Sequence, residues 1–416
     1  MKLLTLSEDQ IMITFIALSL LLLFVYIFGT LIEKIKGPRV VGEILGGMIL
    51  GGSFLFILFP EFMKNIFFAY PEEGKVLNIF YQLGLIFLMF LSGYNTEINI
   101  DKKNSKTIFL VFVGATIIPM LFAIPFINLY KESFIGTMNN SLSFSLVFCI
   151  GVAITSIPVI SKIFFDMGIM NTKFSNIILT IATFQDLCLW ILLNIATRVG
   201  TTGNIRLSEM IMIVLATIGL FVMITLISKR TKTIKKEITT KQFYTISFVL
   251  LLICCGVLSK IGINIMYSAF IVGYCIKSVL NDKKSKEKIN SLEQLVLSFF
   301  VPIYFGLVGI QLNVIHDISW INFITFFIVA FGLEFIGTWI MLLFTDFKKE
   351  TKMNFAITMN ARGGPGIVLA TVAYGANIIN IEFFTILILT TMLSSMIAGY
   401  YLRYQQNKNQ KIFDNF

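Results

Sequence analysis

Charge is what this sequence has least of. Only 13% of its 416 residues are charged and 56% are hydrophobic, which excludes an ordinary soluble domain. Histidine is almost missing: His316 stands alone beside Asp317. With no nucleophile–base pair and no cluster of metal-ligand spacing, neither an enzyme nor a metal or other cofactor is expected. The five cysteines, Cys149, Cys188, Cys254, Cys255 and Cys275, all lie within apolar runs. Two of them are adjacent, an arrangement unsuited to a disulfide framework, so they read as packing residues. No basic segment precedes the first apolar run, which follows Glu8 and Asp9. It is too long for a signal peptide and is expected to stay as a helix.

What is present is a series of apolar runs. Thirteen can be drawn, at 11–32, 38–59, 76–94, 107–129, 141–165, 173–197, 208–228, 242–260, 263–280, 292–311, 319–345, 353–379 and 383–404. The eighth and ninth are joined by a very short turn around Gly262. The net charge of +10 comes from basic residues in the gaps between runs, so it speaks for a membrane face rather than nucleic acid. Most of the 33 basic residues fall on one side; Lys2, Lys64, Lys75, Lys131, Arg198, Arg206 and Lys260 fall on the other, and Arg362 lies within a run. The asymmetry predicts a multi-pass protein of the cell membrane with its amino terminus outside and carboxyl terminus in the cytoplasm.

Thirteen divides as six, one and six, and the two sixes then run in opposite senses. Transporters built from inverted repeats place a site near the midplane, on helices interrupted at corresponding positions. The fifth run carries Gly151, Thr155, Ser156 and Pro158 at its centre; its counterpart, the twelfth, carries Arg362, Gly363, Gly364, Pro365 and Gly366. Proline removes a donor and glycine loosens the backbone, so both runs are expected to unwind there. The expected fold is all-α and polytopic, with two broken helices that cross.

The sixth run has one ionisable residue after Lys173, and it is central: Asp186. A helix of that length rises about 37 Å, so the carboxylate sits near the middle of the bilayer, where it costs about 2.5–3.5 kcal/mol. A hydrogen-bond anchor would be met more cheaply by Ser, Thr or Asn, so the aspartate marks an ion or proton path. Three more ionisable residues lie well inside runs: Glu43, Glu334 and Arg362. Glu43 is near a helix start, where a structural carboxylate and a functional one are both at home. Thr183, Trp190 and Asn194 share the face of Asp186 by spacing. A monovalent cation shedding its water needs oxygens, which Asp186, Gln185, Thr155 and Ser156 supply if the fifth and sixth runs adjoin. Out of water a carboxylate holds a proton or a cation but not both. Competition for one such group, opened to alternate sides, is exchange.

Five stretches in register carry a resemblance: GPRVVGEILGGMILGGS, AITSIPVISKIFFDMGIMNT, FQDLCLWILL, VPIYFGLVGIQLN and NARGGPGIVLA. Together they resemble the monovalent cation:proton antiporter-2 family. The resemblance implies exchange of Na⁺ or K⁺ for H⁺, with Asp186 as the ion-binding aspartate. It also implies a homodimer in the lipid bilayer, with scaffold helices at 11–94 and 242–311, moving core helices at 107–197 and 319–404, and a linker at 208–228. One departure stands out: FGLEFIGTW places Glu334 where the family usually carries a basic residue. A base there would pair with Asp186, whereas a second carboxylate adds negative charge; Arg362 is the candidate counter-charge, and ion choice and stoichiometry stay open. With a single aspartate the reading leans to one-for-one, electroneutral exchange. The alternative is a channel-like K⁺ efflux protein or ion-responsive sensor on the same helices. About a dozen residues follow the last run, so no soluble nucleotide-binding domain is expected.

Overall fold

A computed structural model describes residues 5–95, 104–170, 172–202, 239–260, 263–279, 283–408 and 413. The run at 208–228 and the turn at Gly262 lie outside them. In chain order the helices are α1 (Glu8–Lys34), α2 (Arg39–Leu50), α3 (Leu55–Leu58), α4 (Pro60–Phe67), α5 (Glu73–Asn95), α6 (Ser105–Phe134), α7 (Ser141–Val152), α8 (Ile157–Asp166), α9 (Lys173–Thr202), α10 (Thr240–Lys260), α11 (Ile265–Val279), α12 (residues 283–310), α13 (Trp320–Leu342), α14 (Lys349–Met359), α15 (Gly363–Gly375) and α16 (Ile381–Lys408). Helices α6 and α12 each contain one π turn, at Val113–Ile117 and Val296–Phe300.

Among the described residues ten helical stretches are long and apolar enough to cross a membrane, with Ser141–Asp166 counted as one. They leave large apolar side chains bare, among them Phe15, Leu252, Ile321 and Ile328. Such surfaces are stable only in lipid, and the chain is a multi-pass membrane protein. The run at 38–59 is interrupted: α2 stops at Leu50, where the Gly51 amide bonds the Gly47 carbonyl at 2.9 Å, and helix resumes in α3 at Leu55. The runs at 141–165 and 353–379 are each divided, at 153–156 and at 360–362.

The chain forms two compact units, Met1–Leu91 with Asp282–Asp317, and Ser92–Asn281 with Ile318–Phe416. In the first, α2 lies between α1 and the last part of α12. A Cβ on Gly47 would overlap the Gly306 carbonyl, so glycine is what lets α2 and α12 touch backbone to backbone. Aromatic pairs, Tyr81–Tyr304 at 5.1 Å and Phe87–Phe300 at 4.9 Å, fasten α5 to α12.

In the second unit, α6 packs on α13, α7 on α9 and α15 on α16. Tyr130, Phe134, Phe148, Phe326 and Phe383 form one aromatic cluster, with Phe134 and Phe383 stacked at 4.5 Å. Beside it the Gly136 amide bonds the Ile378 carbonyl (2.9 Å) and the Asn380 amide bonds the Phe134 carbonyl (3.0 Å). The α6–α7 connection is thus tied to the α15–α16 connection. Asn140 caps α7 by accepting the Ser143 amide at 3.0 Å. This bracing fixes where the two divided helices meet.

Candidate functional site

The first break follows Val152. Ser156 starts α8 as its cap, its hydroxyl accepting the Val159 amide at 3.3 Å. The second break follows Met359, and Gly363 turns the chain with φ +40. A side chain at 363 would strain that backbone and would also strike Ser156 and Val159. Pro365 lacks the amide that would bond the Ala361 carbonyl four residues earlier. That carbonyl instead accepts the Ser156 amide at 2.7 Å. Thr155 Oγ1 donates to the Met359 carbonyl (2.6 Å) and lies 3.1 Å from Glu334 Oε1. Arg362 donates to the Val152 carbonyl at 3.0 Å. The broken ends therefore satisfy one another, as unwound backbone in a membrane requires.

Arg362 also meets Glu334 at 2.8 Å and Asn360 Oδ1 at 3.4 Å. Glu334 is fully buried and Arg362 nearly so. Neither charge would survive such burial alone, and each supplies the other's counter-charge. Glu334 is not a second free acid beside Asp186; it belongs to a pair that joins α13 to the break before α15.

Gln185 is pinned by two orphaned carbonyls. Pro119 deprives the Ala115 carbonyl of its helical donor, and the break exposes the Ala153 carbonyl. Gln185 Nε2 donates to both, at 3.2 Å to Ala115 and at close range to Ala153. With the nitrogen so occupied, Oε1 is the free end, and it has no partner among the described residues. The Gln185 amide also lies against Glu334.

Asp186, the next residue, is 1% exposed, and neither of its oxygens has a partner among the described residues. A buried carboxylate without a donor demands a proton or a cation. The fourth mid-run group, Glu43, lies in the first compact unit. Arg39 Nε holds it at 2.9 Å, Glu33 accepts from the same guanidinium at 3.3 Å, and Tyr26 lies under it at 5.9 Å. That arrangement is an ion-pair cluster over the first turn of α2, whose N-cap, Pro38, makes no side-chain hydrogen bond.

Thr155, Ser156, Gln185, Glu334 and Arg362 are thus linked by contacts across the two breaks, with Asp186 following Gln185 on α9. Sequence reasoning overlooked Asn360, the Ala115 carbonyl and Ser395, whose hydroxyl accepts the Gly363 amide at 3.0 Å. Pro119, four residues after Ala115, was the available signal for the second of these.

The sequence profile described as "Sodium/hydrogen exchanger, transmembrane" matches residues 19–404. Cation/H(+) antiporter 17 of Arabidopsis thaliana is 24% identical over 94% of this chain, but the match spans only 48% of that protein. The chain therefore covers about half the length of that relative. Na(+)/H(+) antiporter NhaS4 of Synechocystis is 25% identical over 90% of this chain and 92% of its own length. Among solved structures, the sodium proton antiporter MjNhaP1 of Methanocaldococcus jannaschii superposes with a TM-score of 0.66 at 17% identity, over 96% of this chain and 97% of that one; the likeness is one of fold. Family profile, relatives and fold agree, and the chain belongs to the sodium/hydrogen exchanger family of transmembrane proteins.

Proposed function

We propose that this protein is a secondary antiporter that exchanges Na⁺ or K⁺ for H⁺ at Asp186 by alternating access, with no enzymatic step. One observation carries the reading: a carboxylate buried beside two interrupted helices, with both oxygens unpartnered among the described residues. Gln185 Oε1 and the Thr155 and Ser156 hydroxyls are the further oxygens offered to the cation. Glu334 is ion-paired with Arg362, which leaves Asp186 as the carboxylate beside the breaks without a counter-charge among the described residues and supports one-for-one exchange. The names of the Synechocystis and Arabidopsis relatives point the same way.

The finer architecture of the proposal is thirteen spans in two inverted sixes, with 208–228 as linker. Residues 107–197 and 319–404 move as a core against a scaffold of 11–94 and 242–311, which also forms a homodimer in the lipid. Packing groups the α10–α11 hairpin with the second compact unit, so the repeat, not packing, assigns it to the scaffold. Basic residues place the amino terminus outside and the carboxyl terminus in the cytoplasm of a cell that carries the protein in its plasma or inner membrane.

The test is dequenching of a pH dye in everted vesicles given Na⁺, K⁺, Li⁺ or Rb⁺. Wild type moves protons in response to at least one of them, and folded Asp186→Asn does not. Normal exchange by that variant would remove the site assignment.

A further inference from the structure

Asp186, Trp190 and Asn194 stand one turn apart on α9. The spacing keeps them on one face, with Trp190 about 6 Å and Asn194 about 12 Å along the axis from the aspartate. They are 1%, 4% and 1% exposed. Each carries polar atoms without a partner among the described residues: both oxygens of Asp186, Nε1 of Trp190 and Nδ2 of Asn194. The Asn194 amide has a definite orientation, because Oδ1 accepts the Asn264 backbone N–H at 2.7 Å. The unpartnered atom is therefore a donor. Asn264 is itself fixed, its own Oδ1 accepting the Met266 amide at 2.8 Å as α11 begins. Along this face run two N–H donors without acceptors, then a carboxylate without donors.

Buried polar groups that protein leaves unsatisfied are satisfied by water or ligand. A water that accepts from an N–H turns its own hydrogens onward, which is what a carboxylate needs. We propose that Trp190 and Asn194 are positioning residues that hold a short file of water, through which protons reach Asp186 from the α11 side. A hydronium at the far end gives up one proton, each water passes one on, and the last transfer neutralises the carboxylate; release reverses the sequence. Arg198 stands one turn beyond Asn194 on α9. Glu334 and Arg362, packed toward Gln185, are occupied with each other, and Tyr267 is a buried phenol on α11. The cation, which needs oxygen ligands, approaches through the oxygens at the helix breaks. Proton and cation share a carboxylate but not a route. This inference rests on the exchange proposed above.

The full chain in detergent is exposed to radiolytic hydroxyl labelling and read by mass spectrometry. Trp190, though buried, is oxidised several-fold faster than the fully buried Phe148; oxidation at the Phe148 level overturns the water file. In liposomes, Asn194→Leu lowers the maximal exchange rate about tenfold, the equivalent of one lost hydrogen bond, and leaves the cation KM where it was. Trp190→Phe, which keeps the ring and removes only the N–H, moves the rate the same way. Unchanged rates in both variants, or a KM that shifts with the rate, overturn the assignment. Should wild type show no exchange while Trp190 is labelled rapidly, the exchange reading fails and the water file stands.

Discussion

The amide of Ser156 bonds the carbonyl of Ala361 at 2.7 Å, so the start of one half-helix is satisfied by the end of another some 200 residues away in sequence. Gly363, with its positive φ, is what allows that approach. Gly363→Ala costs at least about 1–2 kcal/mol in backbone strain alone, plus the collision with Ser156 and Val159. Its melting temperature falls, and Ser156→Gly restores part of the loss. A Gly363→Ala protein as stable as wild type would show that the crossing is loose.

Glu334 and Arg362 are predicted to be coupled strongly. Removing either alone, as Glu334→Ala or Arg362→Ala, destabilises by about 3–5 kcal/mol because the other charge is left buried and unpaired. The double variant is markedly less damaged than the sum, a result thermal unfolding of the four proteins would read as a coupling energy. Glu334→Lys, which supplies the base expected from the family resemblance, sets two positive charges together and behaves like the single losses. Additive effects would mean that the pair contributes nothing as a pair.

Gln185 gives a second cycle. Gln185→Leu leaves the Ala115 and Ala153 carbonyls without a donor, at about 1–3 kcal/mol for each buried orphan. Pro119→Ala returns an amide to the position that serves Ala115, so the double variant recovers part of that loss. Recovery is read by unfolding in detergent; none at all would show that Ala115 is not the partner that matters.

If one carboxylate alternates between proton and cation, the cation KM rises about tenfold for each unit of falling pH on the acid limb, the slope for one competing proton. Dye dequenching across pH, at several cation concentrations, measures it. A slope of two would bring in a second titrating acid and contradict the pairing of Glu334 with Arg362.

The broken helices were legible because their cause is local: ITSIP and ARGGPG carry the residues that unwind a helix. Asp186 was legible because an isolated acid in an apolar run is costly wherever the run packs. The pairing of Glu334 with Arg362 was not. Those residues are on different spans, and only the packing of α13 beside the break brings them to 2.8 Å. Nor was the role of Gln185, since which end of an amide is free depends on carbonyls that distant prolines and breaks expose.

The cancelled pair of Glu334 and Arg362 has an electrical consequence. Carrying a full charge across a membrane at 100 mV involves about 2.3 kcal/mol of work. With that pair silent, the proposed carrier is neutral at Asp186 whether it is loaded with a proton or a monovalent cation. The loaded translocation steps then take place without reference to membrane voltage, and an energised cell would drive this protein by its concentration gradients alone.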